Sequence, residues 1–136
     1  MIFLDASAII YLLEGKPALQ ESVRRTLAGQ RSGETLPALA VSALSLLECR
    51  VQPMRDAEHQ RLERFDQFFR DPGLEIVEID RKVIETATAL RARHGLRTPD
   101  AIQAGSALAS APDAEFITGD SDFRKVPDLR VHLVEL

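Results

Sequence analysis

The chain opens with the sequence MIFLDASAII (residues 1–10), in which a four-residue apolar run ends at Asp5 and a second apolar run follows. The first run is short enough for a buried strand, and the second has the composition of a helix. We therefore predict a strand, a turn at Asp5 and a first helix. An acid beside apolar residues is costly to bury unless it is paired, hydrogen-bonded or bound to a cation. Asp5 is thus a candidate functional residue.

Short strands and longer helices are predicted to alternate along the rest of the chain. Further strands are predicted at residues 39–41, 74–79, 115–118 and 131–134. Helix starts are predicted at Pro17, Ser42, Asp80 and Thr98, helix ends at Gly29, Gly33 and Gly95, and an amphipathic helix within residues 55–70. This alternation predicts one α/β domain spanning residues 1–136 with a largely parallel sheet. In such sheets, ligands bind beyond the carboxyl ends of the strands.

Composition excludes several classes of protein. Cys49 is the only cysteine, so an internal disulfide and a cysteine zinc cluster are excluded, and a reducing compartment is expected. The N-terminus lacks a basic segment before its apolar run, and no stretch reaches membrane-spanning length. A cytoplasmic protein without membrane contact is therefore expected. The net charge of −4 argues against broad nucleic-acid binding through a basic surface.

Four acids fall at comparable places in the predicted elements: Asp5, Glu48, Asp100 and Asp120. Asp120 follows a strand as Asp5 does, Asp100 lies in the first turn of a helix, and Glu48 lies near the middle of one. Oxygen ligands of this kind suit Mg²⁺ or Mn²⁺, which can stabilise charge on a phosphodiester and activate water. Taken singly, however, each Asp is equally well explained as a cap or turn residue, and Glu48 as a solvated helix position.

Neighbouring polar residues extend this hypothesis. Ser7 and Thr118 are expected to hydrogen-bond the acids or a metal-bound water. Three interpretations of Asp122 have similar weight: it is a further metal ligand, a helix cap, or a solvated loop acid. Zinc is disfavoured because the histidines, His59, His94 and His132, are far apart in the sequence.

These residues resemble a PIN domain, and more narrowly the VapC-type toxins of bacterial toxin–antitoxin pairs. The resemblance covers nearly the whole chain and is carried by four blocks in order: FLDAS (3–7), SALSLLE (42–48), PDAIQAGSA (99–107) and TGDSDF (118–123). It implies a PIN-like three-layer domain, with a central, mostly parallel sheet flanked by helices. It also implies a Mg²⁺- or Mn²⁺-dependent endoribonuclease whose catalytic residues and metal ligands are Asp5, Glu48, Asp100 and Asp120. The fourth position varies in this family, which leaves Asp120 and Asp122 as alternatives.

The same resemblance implies partners. These are an RNA substrate, a second copy of the chain in a homodimer, and a cognate antitoxin that covers the site. This chain would contact DNA only indirectly, through the antitoxin.

Two other functions compete with this reading. In a phosphatase or phosphoryl-acceptor domain, Asp5 would be a covalent nucleophile. That reading is disfavoured because Asp5 is followed by Ala6 and Ser7, with no second Asp two residues on. The other alternative is a non-catalytic, metal-binding PIN-like interaction module, whose acids would only hold a structural ion or form salt bridges.

Overall fold

The computed structural model describes residues 1–29 and 38–134. Its strands are β1 (Ile2–Leu4), β2 (Leu39–Ser42), β3 (Leu74–Val77), β4 (Glu115–Thr118) and β5 (Arg130–Leu133). They form one sheet in the order β3-β2-β1-β4-β5, and each pair of neighbours is parallel. Leu4 is level with Val41 of β2 and Ile117 of β4. The residues that follow, Asp5, Ser42 and Thr118, therefore lie at one edge of the sheet.

In the part of the chain that the structure describes, six helices and a short 3₁₀ helix cover the sheet. They are α1 (Ala6–Glu14), α2 (Pro17–Gly29), α3 (Leu44–Arg55), α4 (His59–Phe69), α5 (Arg81–His94), α6 (Thr98–Ser110) and the 3₁₀ helix (Ser121–Lys125). Successive residues of β1 point to opposite faces of the sheet, so β1 contributes to two cores. Phe3 packs with residues of α5 and α6, whereas Ile2 and Leu4 pack with residues of α1 to α4. The predicted three-layer α/β fold is thereby confirmed.

Several predicted helix boundaries are confirmed. Asp80 caps α5 by accepting a hydrogen bond from the backbone N–H of Val83 at 2.9 Å, and α5 ends before Gly95. Pro17 begins α2, and Gly29 is the last residue of α2 that the structure describes. The predicted stop at Gly33 lies outside the described residues. No helix in the described part of the chain is long and apolar enough to cross a membrane.

Other predicted boundaries were wrong. Ser42 belongs to β2, where its backbone pairs with Val77 of β3, but its hydroxyl accepts a hydrogen bond at 3.2 Å from the backbone N–H of Leu44, the first residue of α3. The residue preceding α3 is Ala43, which makes no side-chain cap bond. Arg97 precedes α6, so Thr98 is its first residue instead of its cap. β3 also ends at Val77, two residues before its predicted end.

Gly105 allows α6 to pack directly on the backbone of α5. A Cβ at this position would lie 3.1 Å from the backbone N of Ala87 and 3.1 Å from the carbonyl oxygen of Val83. Contacts this short are rare for a real side chain, so a larger residue would push the helices apart. The close approach fixes the helix on which Asp100 lies.

Candidate functional site

Asp5 follows β1 and caps the N-terminus of α1. Its Oδ1 accepts hydrogen bonds from the backbone N–H of Ala8 at 2.9 Å and from the hydroxyl of Ser7 at 2.7 Å. Its Oδ2 accepts a hydrogen bond from the hydroxyl of Thr118 at 2.6 Å. Asp5 is only 4% exposed. Burial raises the pKa of Asp5 above its ordinary value, these hydrogen bonds lower it, and the nearby charge of Glu48 adds to the increase.

Ser7 and Thr118 connect this acid to the loop after β4. The Ser7 hydroxyl accepts a hydrogen bond from the backbone N–H of Gly119 at 2.9 Å, and the Thr118 hydroxyl accepts one from that of Asp120 at 3.0 Å. A Cβ at Gly119 would overlap the ring of Tyr11 on α1. The predicted hydrogen bonds from Ser7 and Thr118 to an acid are therefore present. The close fit of Tyr11 against Gly119 was not foreseen from the sequence.

Glu48 lies on α3 and is held by Gln103 of α6. The Gln103 Nε2 donates hydrogen bonds to the Glu48 Oε1 at 2.8 Å and to the Ser45 hydroxyl at 2.9 Å. Gln103 lies about one helical turn after Asp100. Glu48 is therefore linked directly to the helix that carries Asp100.

Sequence reasoning missed Gln103, although a signal was present. The polar residues of α6 recur every three or four positions along an alanine-rich helix: Asp100, Gln103, Ser106 and Ser110. This spacing places them on one face.

Asp100 and Asp120 lie near each other on the more open part of the site. The Asp100 carboxylate pairs with the Nε of Arg97 at 3.3 Å, and its side chain is 15% exposed. Burial raises the pKa of Asp100, Arg97 lowers it, and the negative charges of Asp120 and Asp122 raise it further. Asp120 caps the 3₁₀ helix, accepting a hydrogen bond from the backbone N–H of Asp122 at 2.9 Å.

Asp122 differs from Asp120 in its surroundings. Its side chain is 52% exposed and pairs with Lys125 at 3.7 Å. Asp120 is half-buried, and its backbone is bonded to Thr118, which itself contacts Asp5. Asp120 is therefore the better connected of the two alternatives for a fourth acid.

The structure places the four acids in two groups. Asp5 interacts with Glu48, and Asp100 interacts with Asp120. Gln103 and Thr118 provide the links between elements. Within residues 1–29 and 38–134, however, no group of three or more His, Cys, Asp or Glu side chains is arranged so that it could hold a metal ion. Like charges repel, which disfavours closer contact between these carboxylates.

The chemistry of the donors nevertheless suits a hard divalent cation. All four candidate ligands supply carboxylate oxygens, which Mg²⁺ and Mn²⁺ prefer. Among the described residues, no ion pair involves Asp5, Glu48 or Asp120. Partly buried negative charge without a side-chain cation is the situation that a bound metal relieves. Zinc fits poorly, since His132 bonds to Glu115 instead and His59 is exposed on α4.

Comparison with known proteins gives a family and a set of structural neighbours. The family model described as "PIN domain" matches residues 2–129. A comparison with curated protein sequences gave no significant match. Among solved structures, a toxin–antitoxin complex from Klebsiella pneumoniae is similar with a TM-score of 0.75 and 22% identity, covering 99% of this chain and 98% of that chain.

Two further complexes are similar over nearly their whole length. VapBC2 from Rickettsia felis, bound to a DNA fragment from its promoter, gives a TM-score of 0.74 at 20% identity, covering 99% of this chain and 100% of that chain. FitAcB from Neisseria gonorrhoeae gives a TM-score of 0.69 at 23% identity, covering 96% of this chain and 96% of that chain. At these identities the likeness shows the shared fold.

Proposed function

The chain belongs to the PIN domain family, and on that premise we propose that it is a metal-dependent endoribonuclease, the toxin of a toxin–antitoxin pair. The observation that supports this proposal is the placement of acids from four distant segments around the carboxyl edge of the sheet, with Asp5 near Glu48 and Asp100 near Asp120. Asp5 follows β1, Glu48 lies on α3, Asp100 opens α6 and Asp120 follows β4. Parallel α/β sheets bind their ligands at this edge.

Asp5, Glu48, Asp100 and Asp120 are the residues that would hold Mg²⁺ or Mn²⁺. The cation would supply positive charge to the phosphodiester and make water a better nucleophile. The chain's own residues prepare the pocket. Ser7 and Thr118 hold Asp5 in one orientation through hydrogen bonds. The N-terminus of α6, beside Asp100, provides backbone N–H groups and a positive dipole end that favour a nearby phosphate.

Two observations disfavour a covalent mechanism. Burial, followed by the charges of Glu48 and Asp5, raises the pKa of the Cys49 thiol to about 12, so the reactive thiolate is scarce near neutral pH. A phosphoryl-acceptor role is disfavoured because Asp5 is followed by Ala6 and Ser7, with no second Asp two residues on.

The proposed partners follow from the neighbours' descriptions. One neighbouring structure is a toxin–antitoxin complex, and another, VapBC2 from Rickettsia felis, is bound to a DNA fragment from its promoter. We accordingly propose that a cognate antitoxin inhibits this chain and that DNA is contacted only through that antitoxin. A homodimer and a cytoplasmic location remain part of the same proposal.

The decisive experiment measures RNA cleavage by the purified protein. With Mg²⁺ or Mn²⁺ we expect a structured RNA to be cut, and with EDTA we expect no cutting. Asp5→Asn should lower the rate on the order of 10³-fold, because a charged donor to the cation is lost. Asp128→Asn is the matched control, since Asp128 is exposed in the loop before β5.

Three outcomes separate the alternatives. Full activity in EDTA would refute the metal dependence, and full activity of Asp5→Asn would remove Asp5 from the site. Mn²⁺ that raises the melting temperature without any cleavage would instead favour the non-catalytic interaction module. At 100 times its dissociation constant, a ligand stabilises the folded state by about 2.7 kcal/mol, which a melting curve detects easily.

A further inference from the structure

A line of buried polar side chains lies between α6 and the segment from the end of β2 into α3. Its members are each no more than 2% exposed: Ser42, Ser45, Gln103 and Ser106. Ser106 bonds to the Ser42 hydroxyl at 2.9 Å and to the carbonyl oxygen of Ile102 at 2.7 Å. Gln103 bonds to Ser45 and to Glu48. Gln103 is therefore the member of this line that contacts an acid of the site.

Only the nitrogen of the Gln103 amide has hydrogen-bond partners; the oxygen has none among the described residues. Its Nε2 has two hydrogens, and these are used by the Ser45 hydroxyl and the Glu48 carboxylate. Its Oε1 is buried and has no hydrogen-bond partner among the described residues. A buried carbonyl oxygen without a partner lowers stability, and an apolar side chain of similar size would avoid that cost. Packing alone therefore does not explain a glutamine at this position.

The contact with Glu48 does explain the orientation of the amide. If the amide were turned over, its oxygen would face the Glu48 carboxylate, and two acceptors would be in contact. The negative charge of Glu48 therefore fixes the amide, and the amide fixes the Oε1 of Glu48. Among the described residues, the hydrogen bond from Gln103 is the only one that Glu48's carboxylate accepts, and it leaves Oε2 without a donor.

We propose that Gln103 is a positioning residue that holds Glu48 so that its second carboxylate oxygen is available to a divalent cation. This inference rests on the proposed function, because it assigns a task within that same site. Residues that hydrogen-bond a metal ligand fix its orientation, and their loss typically weakens metal affinity or activity by about 10- to 100-fold. The effect of Gln103 on the cation is indirect and passes through Glu48.

The test compares Gln103→Met with Ser106→Ala. Methionine keeps the length and volume of glutamine but removes the amide. Ser106→Ala removes a buried hydrogen bond from the same line without touching an acid. We expect Gln103→Met to weaken Mn²⁺ binding, measured by calorimetry, about 10- to 100-fold and to lower kcat for RNA cleavage comparably. KM for RNA should change less than about twofold, and Ser106→Ala should bind Mn²⁺ as the parent does.

A double-variant comparison tests whether the effect passes through Glu48. Adding Gln103→Met to Glu48→Gln should cause no further loss of Mn²⁺ affinity, because the group being positioned is already altered. Additive losses would overturn the proposal. So would a Gln103→Met variant that melts lower than the parent but binds Mn²⁺ normally, as expected of a merely structural residue.

Failure of the proposed function has a different signature. A parent protein that neither binds Mn²⁺ nor cleaves RNA would refute the nuclease, and the role of Gln103 would be refuted with it. A parent protein that is active while Gln103→Met matches Ser106→Ala in Mn²⁺ affinity and kcat would leave the nuclease standing and remove only Gln103.

Discussion

Asp5 and Asp100 are both residues of the proposed site, yet the chain stabilises their carboxylates in different ways. On the deep side of the site (Asp5, Ser7 and Thr118), the acid is 4% exposed and accepts hydrogen bonds from neutral donors. On the open side (Arg97, Asp100 and Asp120), Asp100 pairs with an arginine that is itself 77% exposed. An exposed ion pair of that kind contributes about 0–1 kcal/mol.

The two sides of the site therefore differ in how freely their carboxylates can move. The donors around Asp5 belong to the first turn of α1 and to the end of β4, so the position of this carboxylate is set by regular elements of the fold. Asp100 is held by a long surface side chain, which can leave it at little cost. The deep side is therefore a fixed half of the site, and the open side is an adjustable half.

The largest expected effect is on the open side. Asp100→Asn should lower RNA cleavage on the order of 10³-fold, because it removes a charged donor to the cation. Arg97→Ala is the matched control and should change the rate less than about tenfold, since it removes only a weak surface pair. Single-turnover cleavage assays with Mn²⁺ make the measurement. Equal losses in both variants would mean that Asp100 needs Arg97 and that the open side is not adjustable.

The next effect distinguishes the two acids after β4. Asp120→Asn should lower cleavage by roughly 10²-fold, whereas Asp122→Asn should lower it by less than about threefold. The reason is that Asp120 is half-buried and joined to Thr118, while Asp122 is exposed and paired with Lys125. Rates of the two variants under identical conditions decide between them. The reverse order would make Asp122 the fourth acid.

A smaller effect is expected from the hydroxyl that joins β4 to Asp5. Thr118→Val keeps the shape but removes the donor to Asp5 and the acceptor for the backbone N–H of Asp120. We expect a loss of about 1–3 kcal/mol in the free energy of unfolding and about tenfold in activity. Urea denaturation measures the free energy of unfolding, and RNA cleavage assays measure the activity. Thr88→Val, at an exposed position of α5, is the control, and equal losses there would remove any special role for Thr118.

The smallest effect is a pH dependence of the metal-free protein. Burial raises the pKa of Asp5 above its ordinary value of 3.8, so the folded chain holds this proton more tightly than the unfolded chain. The resulting stabilisation is complete below the ordinary pKa and is lost as the pH rises through the folded pKa. In EDTA, Asp5→Asn should therefore melt higher than the parent, by a margin that grows from about pH 4 upward.

Two features make that measurement specific. Asparagine caps helices as well as aspartate does, so α1 keeps its N-terminal hydrogen bond. Saturating Mn²⁺ should remove or reverse the margin, since the parent carboxylate then has a cation beside it. A margin that does not vary with pH would show that the charge of Asp5 does not cause the difference.

The sequence predicted the parts of the site that depend on local patterns. An apolar run that ends at Asp5 and a proline beside Asp100 are enough to place one acid after a strand and the other in a first helical turn. Parallel strands then bring such positions to one edge. At Ser42 the local rule placed the helix start too early: pairing with β3 keeps Ser42 in β2 and Ala43 precedes α3, although the Ser42 hydroxyl still accepts a hydrogen bond from the backbone N–H of Leu44.

The remaining parts depend on packing between distant elements. Gln103 and Glu48 are separated by 55 residues, and no local pattern says which polar residue of α6 faces α3. The fit of Tyr11 against Gly119 likewise requires α1 and the β4 loop to be placed first. Single-sequence reasoning can identify such residues as polar or aromatic, but it cannot pair them.

The hydrogen bond between Thr118 and Asp5 spans 113 residues of the chain. Closing a loop of this length costs conformational entropy, so the contact depends on the rest of the domain to bring β1 and β4 together. During synthesis, a growing chain cannot complete the pocket until residue 118 has emerged from the ribosome. Truncated products that end before β4 would therefore be harmless to RNA even if the full-length chain proves to be a potent nuclease.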